Sequence, residues 1–183
     1  MNFNSHFQLA GKHAFLSASQ SAWTNYEDDK LEAVFRKAEA AKRGTELHDL
    51  AANCIRLGVR MPRNSQTLNL YINDAIGFRM TPEQVLFYSD NCFGTADAVS
   101  FRNNTLRIHD LKTGVTPAGM RQLEVYAAMF CLEYRYKPPT IKTELRIYQN
   151  DEVKVYEPDP GDIISIMDTI VRSDNIIRSI QAE

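Results

Sequence analysis

The sequence predicts an α/β (α+β) fold, because runs of strand length and runs with helical periodicity occupy different parts of the chain. The strand signal is clearest in residues 95–101 and 105–111, two apolar-rich runs joined by the polar turn Arg102-Asn103-Asn104. The helical signal is clearest from Lys30 to about Arg60, where apolar residues recur at helical spacing. At 183 residues, we expect one domain with a sizeable core, spanning residues 1–183.

The first part of the chain is predicted to be mainly helical, over about residues 17–80. Residues 1–16 have no dominant period and are expected to form an N-terminal arm, with room for a short strand. Ser17-Ala18-Ser19 offers N-cap hydroxyls for an early helix. In the long helix that follows, Gly44 either splits the helix or permits close packing. Ser65 is expected to cap the next helix.

The remaining elements form a predicted core over about residues 84–156 and a C-terminal helix. Pro117 is expected to begin a helix, since proline is tolerated in a first helical turn. An amphipathic helix is expected over about residues 160–181, as a cover on the back of the sheet. Besides the two strands named above, alternation and turn signals predict strands at residues 85–88, 141–148 and 153–156.

Two carboxylates and an ammonium group are expected to converge at one end of the sheet. Asp97 is predicted to lie on one strand and Asp110 at the end of the next. Because side chains alternate along a strand, Asp110 and Lys112 share a face while Leu111 points into the core. Gly94 suits a tight bend or a close backbone approach there.

This combination fits the hydrolysis of phosphodiester bonds. Hard oxygen ligands hold Mg²⁺, which keeps several waters and docks to phosphate oxygens. Asp97 and Asp110 supply such ligands, and the carbonyl of Leu111 is placed to supply another. Lys112 can orient or deprotonate the attacking water, or balance charge on the phosphoryl group. On the following helix, Gln122 and Tyr126 are four residues apart and therefore share a face.

These motifs resemble the RecB-like branch of the PD-(D/E)xK nuclease superfamily, and in particular its small phage or prophage exonucleases. That branch carries a helical G-x-x-x-H, then G-x-x-D, D-x-K and Q-x-x-x-Y. This chain has all four in order, spanning residues 44–126: Gly44 to His48, Gly94 to Asp97, Asp110 to Lys112 and Gln122 to Tyr126.

The resemblance implies a restriction-endonuclease-like core, in which a central mixed sheet is flanked by helices. It implies Mg²⁺ or Mn²⁺ held by His48, Asp97, Asp110 and the Leu111 carbonyl, with Lys112 serving the water and the phosphoryl group. Gln122 and Tyr126 would orient the substrate phosphate or the lysine. DNA ends, single- or double-stranded, are the implied substrate. A phage single-strand-binding or annealing protein and a homo-oligomer are further candidate partners.

Three cysteines depart from the pattern of those relatives that hold an iron–sulfur cluster through four. Cys54, Cys92 and Cys131 include no C-x-x-C pair, so no iron–sulfur cluster is expected. The odd count argues against a disulfide framework. Reduced thiols, no run of about 18 apolar residues and no signal-peptide core predict a cytoplasmic protein without a membrane span, in the host cytoplasm if phage-encoded.

The net charge of −2 does not favour nucleic-acid binding, but its distribution is uneven. Residues 1–150 carry 18 Lys/Arg against 15 Asp/Glu, and residues 151–183 carry 3 against 8. A bound metal would offset the proposed carboxylate ligands, which makes the working face more positive. Arg56, Arg60 and Arg63 form either a basic strip for DNA or ordinary solvated surface.

The function predicted from the sequence is therefore a metal-dependent deoxyribonuclease, an exonuclease acting at DNA ends in phage-type recombination, replication or repair. The preference for exonuclease over endonuclease comes from the Q-x-x-x-Y element of the resembling family, and is an argument by analogy. A structure-specific or nicking endonuclease on the same site is the first alternative. The second is a non-catalytic module that binds DNA or protein on a nuclease fold.

Overall fold

The computed structural model describes residues 4–183, which divide between Arg43 and Gly44 into two compact units. The first unit contains 3₁₀ helices at Phe7–Leu9 and Ala18–Asn25, and the start of helix α1, Asp28–Leu57. Residues 4–16 contain no strand. The remaining three residues of the expected N-terminal arm lie outside the described residues.

The early helix expected after Ser17 is a 3₁₀ helix, and its predicted hydroxyl capping is wrong. Ser17 occupies the N-cap position, but its side chain makes no capping hydrogen bond. Its Oγ lies 2.8 Å from the Oγ of Ser19, so the two hydroxyls satisfy each other instead of the helix amides. The indole nitrogen of Trp23 donates to the Ser17 carbonyl at 2.9 Å, which closes this segment.

The second unit is an α+β structure built on a five-stranded mixed sheet flanked by helices. The strands are β1 Thr81–Ser89, β2 Cys92–Arg102, β3 Thr105–Leu111, β4 Lys142–Gln149 and β5 Glu152–Tyr156. They lie in the order β1-β2-β3-β4-β5; β3 and β4 run parallel, and the other neighbours are antiparallel. The predicted fold class is thereby confirmed at this level.

The helices of the second unit are the rest of α1, α2 Thr67–Gly77, α3 Arg121–Tyr134 and α4 Pro160–Gln181. The C-terminal helix has the predicted extent, and Asp159 caps it through the amide of Gly161. The N-cap of α2 is Gln66, not Ser65, and no side chain caps it. Helix α3 begins at Arg121, so Pro117 does not start it. No helix in the described part of the chain could cross a lipid bilayer.

The predicted turn at Arg102-Asn103-Asn104 is confirmed, and a second tight hairpin turn joins β4 to β5. Asn103 and Asn104 between β2 and β3, and Asn150 and Asp151 between β4 and β5, all have positive φ. Two successive residues with positive φ give the turn whose twist matches paired strands, and Asn and Asp accept this conformation most easily. Strand β3 has the predicted bounds, whereas β1 begins at Thr81, earlier than the expected residue 85.

The sheet separates two apolar clusters. One face packs against α3 and α4, with Leu106, Ile108 and Leu123 fully buried. The other cluster joins α1 and α2 to the sheet through Tyr71 and Ile72. The cysteines Cys54, Cys92 and Cys131 are free thiols distributed over this structure. Each strand in the centre of the sheet is thus held from both sides, which gives the candidate site a rigid base.

A buried polar network lies on the α2 side of the sheet, centred on His109. The hydroxyl of Tyr148 donates to Asp74 at 2.8 Å and lies 3.2 Å from His109 Nδ1. Because that hydroxyl has one proton, Nδ1 must donate to it, which leaves Nε2 of a neutral imidazole as a buried atom without a hydrogen-bond partner. Burial first, then the positive charges of Arg146 and Arg107, lower the pKa of His109 to about 3.

Candidate functional site

Asp97 and Asp110 are brought together by the antiparallel pairing of β2 and β3. The register runs from Arg102↔Thr105 to Ala98↔His109, so Asp97 and Asp110 are the next residues beyond its last pair. The Asp97 carboxylate accepts a hydrogen bond from the Leu111 amide at 2.8 Å. The structure therefore places Asp97, Asp110 and the Leu111 backbone at one end of the sheet, as the sequence predicts.

His48 reaches the same point from helix α1. Its Nδ1 lies 3.4 Å from Oδ2 of Asp97. The hydrogen bond to Asp97 raises the pKa of His48, and this outweighs the opposing effect of burial. Gly44, one helical turn earlier, is buried, and a Cβ there would lie 2.8 Å from Oγ1 of Thr113. Because α1 continues unbroken through Gly44, close packing is the role of this glycine.

Lys112, Gln122 and Tyr126 form one hydrogen-bonded array with Asp110. The Lys112 ammonium donates to Oδ1 of Asp110 at 3.0 Å and to Oε1 of Gln122 at 3.0 Å. The Gln122 amide nitrogen lies 3.5 Å from the Tyr126 hydroxyl, which donates to the carbonyl of Thr95 at 2.7 Å. Helix α3 thereby ties the lysine on one side of the site to strand β2 on the other.

Gly94 lets the Tyr126 ring reach that carbonyl. A Cβ at position 94 would lie 3.0 Å from Cε1 of Tyr126, tighter than ordinary van der Waals contact. This close approach brings Gly94 of β2 against Tyr126 of α3. Every residue that the sequence predicts for the site therefore lies in, or directly against, one connected group.

Gly94→Ala tests whether the activity of the site depends on the geometry of this hydrogen-bonded array. The added methyl must displace the Tyr126 ring and with it the bond to Thr95. If the site cleaves DNA, we expect the rate to fall by about 10- to 100-fold, as small misplacements do in enzymes. Gly77→Ala is the matched control, since a Cβ there meets nothing within 4 Å. Cleavage rates and unfolding temperatures of both variants provide the check, and an unchanged rate in Gly94→Ala would exclude a positioning role for Tyr126.

Asp110 is the buried acid of the site and is incompletely satisfied. Lys112 Nζ lies 2.9 Å from its Oδ2, but outside hydrogen-bonding geometry, so Oδ2 has no directed partner among the described residues. Burial first, then the charge of Asp97, raise the pKa of Asp110, and Lys112 only partly opposes them. A cation beside Asp110 and Asp97 would relieve both effects, so these residues fit a bound divalent metal.

Glu83 of β1 belongs to the site and was missed by the sequence analysis. One ligand atom each from His48, Glu83 and Asp97 lie within 4.8 Å of one another, an arrangement able to hold a metal ion. Partial burial of its carboxylate and the charge of Asp97 raise the pKa of Glu83. Its φ of 52° is in the left-handed region, which is strained for a residue inside a strand. No motif marks Glu83 in the sequence.

The chain matches no protein-family model, no curated protein and no solved structure at a significant level. The site is therefore interpreted from its own geometry. Carboxylate and backbone carbonyl oxygens suit Mg²⁺ and Mn²⁺, and the imidazole adds one nitrogen ligand. The residues whose ligand atoms lie close enough together to hold such an ion are His48, Glu83 and Asp97. Asp110 and the Leu111 carbonyl, the other ligands expected from the sequence, lie at the same end of the sheet but outside this group.

The three arginines expected to form either a basic strip or solvated surface lie at and beyond the end of α1, with Arg56 in its last turn. Arg60 and Arg63 are exposed and line a cleft of about 660 Å³. Asn73 holds this segment by two hydrogen bonds to the backbone of Met61, each 3.0 Å long. Neither arginine has an acidic partner within the described residues, so both are free to meet anions. This geometry is compatible both with a basic strip that contacts DNA and with ordinary solvated surface.

Proposed function

We propose that this protein is a metal-dependent deoxyribonuclease, an exonuclease that hydrolyses phosphodiester bonds at DNA ends on a restriction-endonuclease-like core. The observation that carries the proposal is the connected array from His48 and Asp97 to Asp110, Lys112 and Tyr126. Four short motifs scattered over the sequence meet in one group with an acidic centre and a single ammonium. Scattered surface charges would give no such convergence.

The acidic centre would hold Mg²⁺ or Mn²⁺ through His48, Asp97, Asp110 and the carbonyl of Leu111, with Glu83 as an additional ligand. Bound there, the ion would supply Lewis acidity toward a phosphate oxygen and favour ionisation of a bound water. Such an ion would be attracted by the like charges of the two aspartates and by Oδ2 of Asp110, which pairs with the Lys112 ammonium but accepts no directed hydrogen bond.

Lys112 would act on the attacking water or on the charge of the phosphoryl group. Its ammonium is fixed between Asp110 and Gln122, so it faces the acidic centre with little freedom to turn away. Gln122 and Tyr126 position this lysine from α3. The arginines Arg60 and Arg63 would contribute sequence-independent contacts to phosphates of the bound strand.

The test uses end-labelled linear DNA and a covalently closed circle of the same sequence. Each is incubated with Mg²⁺, with Mn²⁺ and with EDTA, using the natural protein and Lys112→Ala. We expect metal-dependent loss of the linear DNA alone, and at least a 100-fold slower reaction in the variant. Cutting of the circle would indicate an endonuclease activity at the same site instead of an exonuclease activity. Metal-insensitive DNA binding without cleavage of linear, circular, single-stranded or flapped DNA would indicate that the protein is a non-catalytic binding module.

A further inference from the structure

The hairpin of β1 and β2 projects past the end of β3. Pairing of β1 with β2 continues to Ser89↔Cys92, whereas pairing of β2 with β3 stops at Ala98↔His109. Residues 92–97 of β2 therefore have a strand partner on one side only. The candidate site lies where β3 ends, so this projecting hairpin begins at the site and leads away from it.

The two faces of the projecting hairpin differ sharply in burial. Leu86 and Ala96, on the α3 face, are each 1% exposed. The opposite face carries the cross-strand pairs Val85↔Thr95 and Phe87↔Phe93. Here Val85 is 48%, Phe87 43% and Phe93 63% exposed. A pair of phenylalanines is thus presented to solvent by a hairpin whose reverse side is anchored in the core.

The two phenylalanine rings form a nearly continuous surface in a defined place. Their centroids are 6.5 Å apart and their planes differ by 28°, so the rings are stacked at a long distance. The amide of Phe87 donates to Oε2 of Glu133 on α3 at 2.9 Å, which fixes this edge strand. Such a surface is held in place before any ligand arrives.

This surface continues from the candidate site along β2. Thr95 lies on β2 between Phe93 and Asp97. Its carbonyl accepts the hydrogen bond from the Tyr126 hydroxyl that completes the hydrogen-bonded array. Phe93 precedes Asp97 by four residues, which is about 13 Å along a strand. A short stretch of single-stranded DNA spans that distance when one of its phosphates lies at the acidic centre.

We propose that Phe87 and Phe93 form a stacking platform for the bases of a single DNA strand that enters the candidate site. The proposal rests on the proposed nuclease function and deepens it, because it assigns a single-stranded or frayed end as the substrate. Aromatic rings bind bases irrespective of sequence, since every base has a flat π face. Residues 84–95 contain no lysine or arginine, so this hairpin has no cation to attract phosphate. Its contacts with a bound strand would therefore be made to the bases.

The size of the patch favours bases over a second copy of the chain. With about 150–250 Å² for a whole aromatic side chain, the exposed parts of Phe87, Phe93 and Val85 add to roughly 300 Å². A stable protein interface needs about 800 Å² from each partner. One or two stacked bases, in contrast, need only a surface of this order.

The test measures DNA binding in an Asp110→Asn background, so that the strand is not consumed. The variants are Phe87→Leu with Phe93→Leu, which keeps an apolar surface but removes the rings, and Phe87→Trp with Phe93→Trp, which restores them. Phe7→Leu is the control, because Phe7 is an exposed phenylalanine outside the hairpin. Fluorescence anisotropy gives affinities for a single-stranded 12-mer and a blunt duplex. 2-Aminopurine placed near the end of the 12-mer reports stacking.

The leucine variant is expected to bind the single strand at least 10-fold more weakly, because each lost contact between a ring and a base weakens binding. Blunt-duplex affinity should change little, 2-aminopurine quenching should be lost, and tryptophan should restore both signals. Equal single-strand affinity and quenching in the leucine variant would overturn the platform. So would a natural protein that is dimeric by light scattering and becomes monomeric in this variant. Cleavage is measured in Phe87→Leu/Phe93→Leu with Asp110 intact. A natural cleavage rate in this variant would refute the stacking platform but not the nuclease function.

Discussion

Asp110→Asn is expected to reduce DNA cleavage by about 10³-fold or more while leaving the fold intact. The substitution keeps the shape of the side chain and removes the negative charge that faces the acidic centre. Because the pKa of Asp110 is raised in the folded protein, its ionised form is disfavoured by folding at neutral pH. We therefore expect the unfolding temperature of the metal-free variant to equal or exceed that of the natural protein.

The same variant separates metal binding from catalysis. Addition of Mn²⁺ should raise the unfolding temperature of the natural protein, since a ligand of the folded state stabilises it by mass action. This increase should shrink in Asp110→Asn and persist in Asp90→Asn, which removes an exposed carboxylate in the β1–β2 turn. Cleavage by Asp110→Asn within tenfold of the natural rate would refute the site. An undiminished Mn²⁺ effect would remove Asp110 from the ligand set.

Acidification from pH 7 to pH 4 is expected to cost about 3 kcal/mol of folding stability through His109 alone, given about 1.4 kcal/mol per unit of pKa difference. In the unfolded chain this histidine takes up its proton below pH 6.5, but in the folded protein only near pH 3. The unfolded state therefore binds more protons across this window. The stability that His109 contributes is present above pH 6.5 and is lost as the pH falls toward 3.

The experiment compares urea unfolding of the natural protein and His109→Gln at pH 7 and pH 4. Other titrating groups act in both proteins, so the difference between the two pH-induced losses isolates His109. The glutamine amide nitrogen can still donate to the Tyr148 hydroxyl, although His109→Gln will itself cost stability at pH 7. An NMR titration of the His109 ring in the natural protein gives an independent reading. A ring that becomes protonated above pH 5 would contradict the neutral, buried imidazole.

The parts of the fold that the sequence predicts well are those specified by neighbouring residues. Strand β3 has the predicted bounds because the Asn103-Asn104 turn sets its start and its hairpin partner is adjacent in sequence. Asp97, Asp110 and Lys112 were likewise placed by alternation along two neighbouring strands. Such information is local, so a single sequence contains enough of it.

The errors arise where distant residues decide the local structure. The strand expected to begin at residue 85 begins at Thr81 and contains Pro82, because β1 is an edge strand, where a missing amide is tolerated. Because the start of this strand was misplaced, Glu83 was left out of the predicted site. Pro117 does not begin α3, because Gln149 of β4 binds the carbonyl of Thr116 at 2.8 Å and the amide of Ala118 at 3.1 Å. No rule on neighbouring residues contains that contact.

The parallel pairing of β3 with β4 separates the candidate site into a part formed by residues close in sequence and a part that depends on a non-local contact. The β2–β3 hairpin joins residues that are close in sequence, so Asp97 and Asp110 can meet with little loss of loop entropy. The pairing of β3 with β4 instead has to wait for the intervening helix α3 to pack, and slow, non-local closure of this kind limits folding rates. The two carboxylates should therefore approach before Gln122 and Tyr126 are in place to hold Lys112. A divalent cation present during refolding would then screen their repulsion and accelerate formation of this half of the sheet.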